Sequence, residues 1–128
     1  LMEMSRLCGL PVPEIKKQMK EIAAKISDEY GVTTALKDAA TVTSSPEGEI
    51  VVNTTGNNGM STAGSGDVLA GVVGSFLTQS LPGVEAASLG VYVHGLAGDV
   101  AAEKYGVRGM KALDIAEALP EALLRIEG

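Results

Sequence analysis

The sequence predicts an α/β protein that is poor in strands. Helical periodicity runs through four or five stretches, β-type sequence is confined to three short ones between residues 32 and 53, and the later helices are rich in Ala and Gly, which implies close packing. Three short strands cannot complete an open α/β sheet. The expectation is therefore the C-terminal half of a larger domain, with the remaining strands lying before Leu1.

The elements follow in order. Leu1 to Cys8 reads as a helix already under way, closed by Gly9. Pro11 and Pro13 break the backbone. From Glu14 to Tyr30 the apolar residues Ile15, Met19, Ile22, Ala23, Ile26 and Tyr30 recur at helical spacing, while Lys16, Lys17, Lys20, Glu21 and Lys25 take the other face, predicting one helix that Gly31 ends. Val32–Leu36 is a short strand. Thr41–Thr43 and Glu49–Asn53 flank Pro46-Glu47-Gly48, a turn signature, and should pair as a hairpin. Helices are predicted from about Gly66 to Gln79, from Val84 to Tyr105, and from Ala112 to Ile126, with Pro120 opening the final turns of the last.

Composition removes several function classes. Ten basic residues face sixteen acidic ones, a formal charge of −6, so no basic stripe is available for nucleic acid. The longest apolar run, around Val68 to Leu77, is shorter than the ~20 residues a bilayer span needs, and no membrane partner is expected. Cys8 is the only cysteine, so no internal disulfide can form, which fits a reducing, cytoplasmic setting. No His, Cys and Asp cluster has metal-ligand spacing. With one Phe, three Tyr and no Trp, the core must be built from aliphatic side chains and Met.

The stretch Gly56 to Asp67 carries the chemistry. It is Gly-rich, holds no positive charge and runs straight into a helix. Glycines let another molecule approach the main chain, and a helix start offers unpaired N–H groups with partial positive charge, a setting that suits phosphate. Asp67 sits at that end. A fixed carboxylate beside a phosphate cradle is the equipment for phosphoryl transfer to a hydroxyl, with the carboxylate as base and the amides steadying the transferred group. The alternative is that Asp67 only caps the helix. His94, the single histidine, is expected as a packed, hydrogen-bonded core residue, and Asp99, Glu103 and Asp114 as helix-surface or capping groups. Asn57 and Asn58 either shape the loop or touch ligand.

The run Asn57-Asn58-Gly59-Met60-Ser61-Thr62-Ala63-Gly64-Ser65-Gly66-Asp67-Val68-Leu69-Ala70-Gly71 resembles the signature of the ADP-dependent NAD(P)H-hydrate dehydratases, members of the ribokinase-like superfamily. The resemblance continues through Val91-Tyr92-Val93-His94-Gly95-Leu96-Ala97-Gly98-Asp99. Upstream, Leu36-Lys37-Asp38-Ala39-Ala40-Thr41 is similar to the family's nucleotide segment, with Asp38 where the family commonly has Gly. The likeness covers the whole chain but only the C-terminal half of the usual three-layer α/β/α domain, residues 1–128 here.

The resemblance implies repair of hydrated NADH or NADPH, S epimer, by transient phosphorylation with ADP or ATP and Mg2+. It implies Asp67 as base and substrate contact, Gly64, Ser65 and Gly66 as anion hole and phosphate contacts, and Lys37, Asp38, Ala39, Ala40 and Thr41 together with Gly66 as nucleotide contacts. It also implies a homotetramer, and a substrate-contacting His in a first half that would precede Leu1. Two other readings stand beside it. One is a ribokinase-like kinase acting on a vitamin precursor or sugar. The other is a non-catalytic nucleotide-binding fragment that needs its missing half.

Overall fold

The computed structural model describes residues 1–128 and divides into two compact units, Leu1–Asn53 and Thr54–Gly128. The α/β class and the small strand content are as expected.

The first unit holds α1 (Met2–Cys8), α2 (Val12–Lys17), α3 (Met19–Tyr30) and a three-stranded sheet of β1 (Thr34–Leu36), β2 (Val42–Ser44) and β3 (Ile50–Val52). The strand order is β1-β2-β3, and both pairings are antiparallel. Gly9 and Gly31 take left-handed conformations and stop α1 and α3, as their positions predict. The hairpin closes at Ser45: its carbonyl accepts from Gly48 N–H at 3.2 Å, its Oγ accepts from Glu49 N–H at 3.1 Å, and Gly48 supplies a φ of 95°. The core collects Met4, Ile15, Ile22, Ala23, Ile26, Leu36 and Val42, with Cys8 partly buried beside it. Cys8 is thus packing material.

One expectation fails here. The helix predicted from Glu14 to Tyr30 is two helices, broken at Gln18, whose φ of −142° and ψ of 44° are not helical. No residue from Lys16 to Glu21 disfavours helix, so local propensity does not cause the break. Ile15 is fully buried in the same cluster as Ile22 and Ile26, and the break is compatible with bringing both helices onto one core.

The second unit holds a single 3-10 turn (Asn58–Met60), then α4 (Ser65–Leu77), α5 (Gly83–Tyr105) and α6 (Ala112–Glu127). The three helices pack against one another. α5 is buried on most of its surface, from Ala86 and Ala87 through Val91, Val93, Ala97 and Val100 to Ala101, which suits its small residues. A second core gathers Ala97, Ala101, Met110, Ile115 and Ala122. α6 begins with a capping arrangement in which Lys111 N–H donates to Asp114 Oδ2 at 2.7 Å. Pro120 does not open new turns; it lies inside one continuous helix. It is exposed, so water can replace the bond its missing N–H would have given to the Ala116 carbonyl. No helix is long and apolar enough to cross a membrane.

Candidate functional site

The Gly-rich stretch is a loop held at many points by one helix. At its entry Thr55 Oγ1 donates to the Tyr92 carbonyl at 2.8 Å. Gly95 allows this approach: a Cβ there would lie 2.9 Å from the Thr55 carbonyl carbon. Gly56 then turns with φ 103°, and its N–H donates to Asp99 Oδ2 at 3.0 Å. Asn57 Nδ2 donates to Asp99 Oδ1 at 2.9 Å, while Asn57 Oδ1 accepts from Gly59 N–H at 3.0 Å and so caps the 3-10 turn. Gly59 is pressed to the chain beyond α5; a Cβ would meet Val107 Cα and Met110 Sδ, each at 2.8 Å. Met60 seats on Gly98, where no side chain would fit without displacing it.

At the exit the chain enters α4. Gly64 is the N-cap, with φ 90°, and it brings no side-chain cap. Ser65 N–H donates to the Thr62 carbonyl at 3.2 Å, and the Gly64 carbonyl receives Val68 N–H at 3.1 Å. Ser65 is buried, and its carbonyl accepts from His94 Nε2 at 3.0 Å, with Ser65 Oγ 3.5 Å from the same nitrogen. The donor role fixes the proton on Nε2. His94 is therefore the buried, hydrogen-bonded histidine that was expected, and its function is to tether the first turn of α4.

Gly66 and Asp67 are the second and third residues of this thirteen-residue helix. Their N–H groups belong to the helix start, where partial positive charge collects. Asp67 is exposed there, the one acidic residue of the first turn. An uncapped helix start with a glycine at its N-cap can receive a phosphoryl group, and a carboxylate beside it can receive a proton.

In the first unit, Lys37 to Ala40 form an exposed bend after β1, and Thr41, just before β2, is buried. Thr41's carbonyl accepts from Asn53 N–H at 2.9 Å, so the bend ends on a fixed point of the sheet. Ser80 is the one non-glycine residue with positive φ, so Asp38 needs no left-handed geometry where the family commonly has Gly. Asp38 Oδ1 lies 4.0 Å from Lys16 Nζ.

The remaining candidates have other duties. Asp114 caps α6, as expected. Glu103 binds Arg125 through both oxygens, at 2.9 and 2.8 Å, and the guanidinium holds its carboxyl below the usual range. A cleft of about 260 Å3 between α5 and α6 is lined by Lys104, Tyr105, Asp114 and Glu117 among others, and by none of the expected site residues. No group of three His, Cys, Asp or Glu side chains is placed to hold a metal. What the sequence did not reveal is the task of Asp99. A surface or capping role was expected, whereas its carboxylate holds the loop. Asn57 is resolved as a shaper of the loop.

The family model described as NAD(P)H-hydrate dehydratase matches residues 1–121. The chain belongs to the NAD(P)H-hydrate dehydratase family. Among its relatives, the bifunctional NAD(P)H-hydrate repair enzyme of Moorella thermoacetica is 48% identical over 126 residues, covering 98% of this chain and 24% of that protein. The ADP-dependent (S)-NAD(P)H-hydrate dehydratase of Neisseria meningitidis is 44% identical over 117 residues, 91% of this chain and 40% of that protein. The crystal structure of the ADP/ATP-dependent NAD(P)H-hydrate dehydratase of Bacillus subtilis, co-crystallized with ATP/Mg2+ and soaked with CoA, superposes with a TM-score of 0.91 at 28% identity, over 96% of this chain and 46% of that one. The fold is thus that of part of a dehydratase, and the chain spans less than half the length of each of these three relatives.

Proposed function

We propose that residues 1–128 form the C-terminal half of a ribokinase-like enzyme that dehydrates the S epimer of NAD(P)H hydrate, with ADP or ATP as phosphoryl donor. The observation that carries the reading is the start of α4: an uncapped helix N-terminus behind the left-handed Gly64, with the exposed Asp67 in its first turn. In this reading Asp67 contacts the hydrated nicotinamide and takes the proton of its hydroxyl. The hydroxyl oxygen bonds to the terminal phosphorus of ADP, and the bond from that phosphorus to the bridging oxygen breaks, releasing AMP. Gly64, Ser65 and Gly66 line the anion hole, and the amides of Gly64 and Gly66 steady the moving phosphoryl group, since the Ser65 N–H is already given to the Thr62 carbonyl. The ring carbon–oxygen bond then breaks, phosphate leaves with the bonding pair, a ring proton is lost and the double bond returns. Lys37 to Thr41 contact the nucleotide, together with Gly66. Magnesium, carried on the nucleotide phosphates, supplies charge neutralisation. Cytoplasmic location and a homo-oligomer, a tetramer by resemblance to the family, belong to the same proposal.

The test is the full-length protein containing this chain, given hydrated NADH and ADP, with the return of reduced-nicotinamide absorbance followed. Asp67→Asn should lower turnover by at least about a hundredfold while nucleotide binding survives. Near-normal turnover by that variant removes Asp67 from the base role. A phosphorylated product that accumulates in place of NADH assigns a small-molecule kinase instead. No turnover by the full-length protein with nucleotide still bound leaves a non-catalytic nucleotide-binding module.

A further inference from the structure

We propose that Asp99 and Asn57 are positioning residues, which set the Gly56–Gly64 loop and through it the aim of the amides at the start of α4. The proposal rests on the reading of that loop given above. Asp99 projects from the C-terminal half of α5, the longest helix, and both of its oxygens are spent on the loop: one receives the Gly56 N–H, the other the Asn57 side-chain amide. Asn57 passes the constraint on, because its own oxygen receives the Gly59 N–H. Two backbone amides are thus fixed by one carboxylate and one carboxamide. The donors and acceptors alternate along this relay, so it has one sense only.

The residues flanking Asp99 make room for the relay. Gly98 is the seat of Met60, the last residue of the 3-10 turn, and Gly95 lets Thr55 approach α5. One turn earlier on α5, His94 holds the Ser65 carbonyl. The same helix therefore fixes the loop at its entry and again at its exit into α4. A displaced loop would disturb the approach to Gly64 and Gly66, whereas the core of Ala97, Ala101, Met110, Ile115 and Ala122 is built from α5, α6 and the segment between them, with only Met60 of the loop packed against it. Loss of the relay should accordingly act on the transition state more than on folding.

The alternation of donors and acceptors gives a direct test. Asp99→Asn sets an amide NH2 against a donor, either the Gly56 N–H or the Asn57 side chain. Asn57→Asp sets two carboxylates against each other. The exchanged pair, Asn57→Asp with Asp99→Asn, restores every bond: Gly56 N–H to the Asn oxygen, the Asn amide to one Asp oxygen, and Gly59 N–H to the other. In the full-length enzyme each single substitution should lower kcat/KM by about ten- to a hundredfold, chiefly in kcat, and the exchanged pair should return to within about threefold of the parent. Amide hydrogen exchange at Gly56 and Gly59 should quicken in the singles and slow again in the pair. Singles that lower only Tm, or an exchanged pair that recovers nothing, overturn the proposal. A parent without dehydratase activity, in which the amide exchange still follows this pattern, disproves the proposed reaction and leaves the relay standing.

Discussion

In the first unit the polar bend Lys37–Thr41 is set by the backbone ladder around it, whereas in the second the loop Gly56–Gly64 is set by side chains of α5. The bend leaves β1 and ends at Thr41, whose carbonyl is tied to Asn53 across the hairpin. Beneath the sheet, Ser27 Oγ lies 2.8 Å from Thr34 Oγ1 and 3.0 Å from the Ser44 carbonyl, so one buried serine joins α3 to two strands. The loop of the second unit has no ladder. Its order comes from Asp99, His94 and the clearance at Gly95 and Gly98. A backbone ladder tolerates changes of side chain, because the main chain makes the bonds. A loop seated on a helix face does not, since one added methyl at the seat displaces it.

The sharpest way to break this contrast is Gly95→Ala. The new Cβ meets the backbone of Thr55, which cannot swing aside as the end of a long side chain can. Overpacking of this kind costs up to about 3 kcal/mol. Chemical denaturation should show that loss, and amide exchange at Gly56 and Gly59 should rise well beyond the global change. An Ala variant as stable as the parent, with the loop amides still protected, means the seat is loose.

A smaller effect is expected from the first unit. Ser27→Ala leaves the α3 backbone intact but removes the donor to the Ser44 carbonyl. The loss should be about 1 kcal/mol, because the ladder between β1 and β2 remains. It should be uniform across the unit, with the loop at Gly56 and Gly59 unaffected. If Ser27→Ala instead loosens the loop as Gly95→Ala does, the two regions do not reach their order independently.

The same contrast decides what could be read from sequence. The hairpin, α1, α4, α5 and α6 were legible to within a residue or two, since glycines at turns and caps and the apolar spacing act locally. The Gly64–Asp67 helix start was legible for the same reason. The break at Gln18 was not, because Lys16 to Glu21 are ordinary helix formers and no local signal opposes helix there. Pro120 misled in the opposite direction: it is a local breaker overruled by an exposed position on a packed helix. The task of Asp99 was hidden as well. A helical Asp after a glycine reads as solvated surface, and only the return of α5 past the earlier loop brings its oxygens to Gly56 and Asn57.

The smallest expected effect lies outside both regions, at Arg125. It joins α6 to α5 by a bidentate pair with Glu103 and reaches Glu121 along its own helix at 2.7 Å. All three groups are exposed, so the contribution to stability is slight and falls with added salt. Its pH dependence is nevertheless defined. Arg125 lowers the Glu103 pKa in the folded chain below 4.5, its ordinary value. A carboxyl depressed on folding stabilises above its unfolded pKa, and that benefit disappears as the pH falls through the folded value. Arg125→Gln should therefore lower Tm slightly at neutral pH, and the gap to the parent should close as the pH is taken down past 4.5. A gap that persists in acid assigns the effect to packing of the arginine stem along α6 rather than to charge. Because the pair lies away from the Gly56–Gly64 loop's own contacts, amide exchange at Gly56 and Gly59 should be unchanged in this variant at every pH at which the chain stays folded.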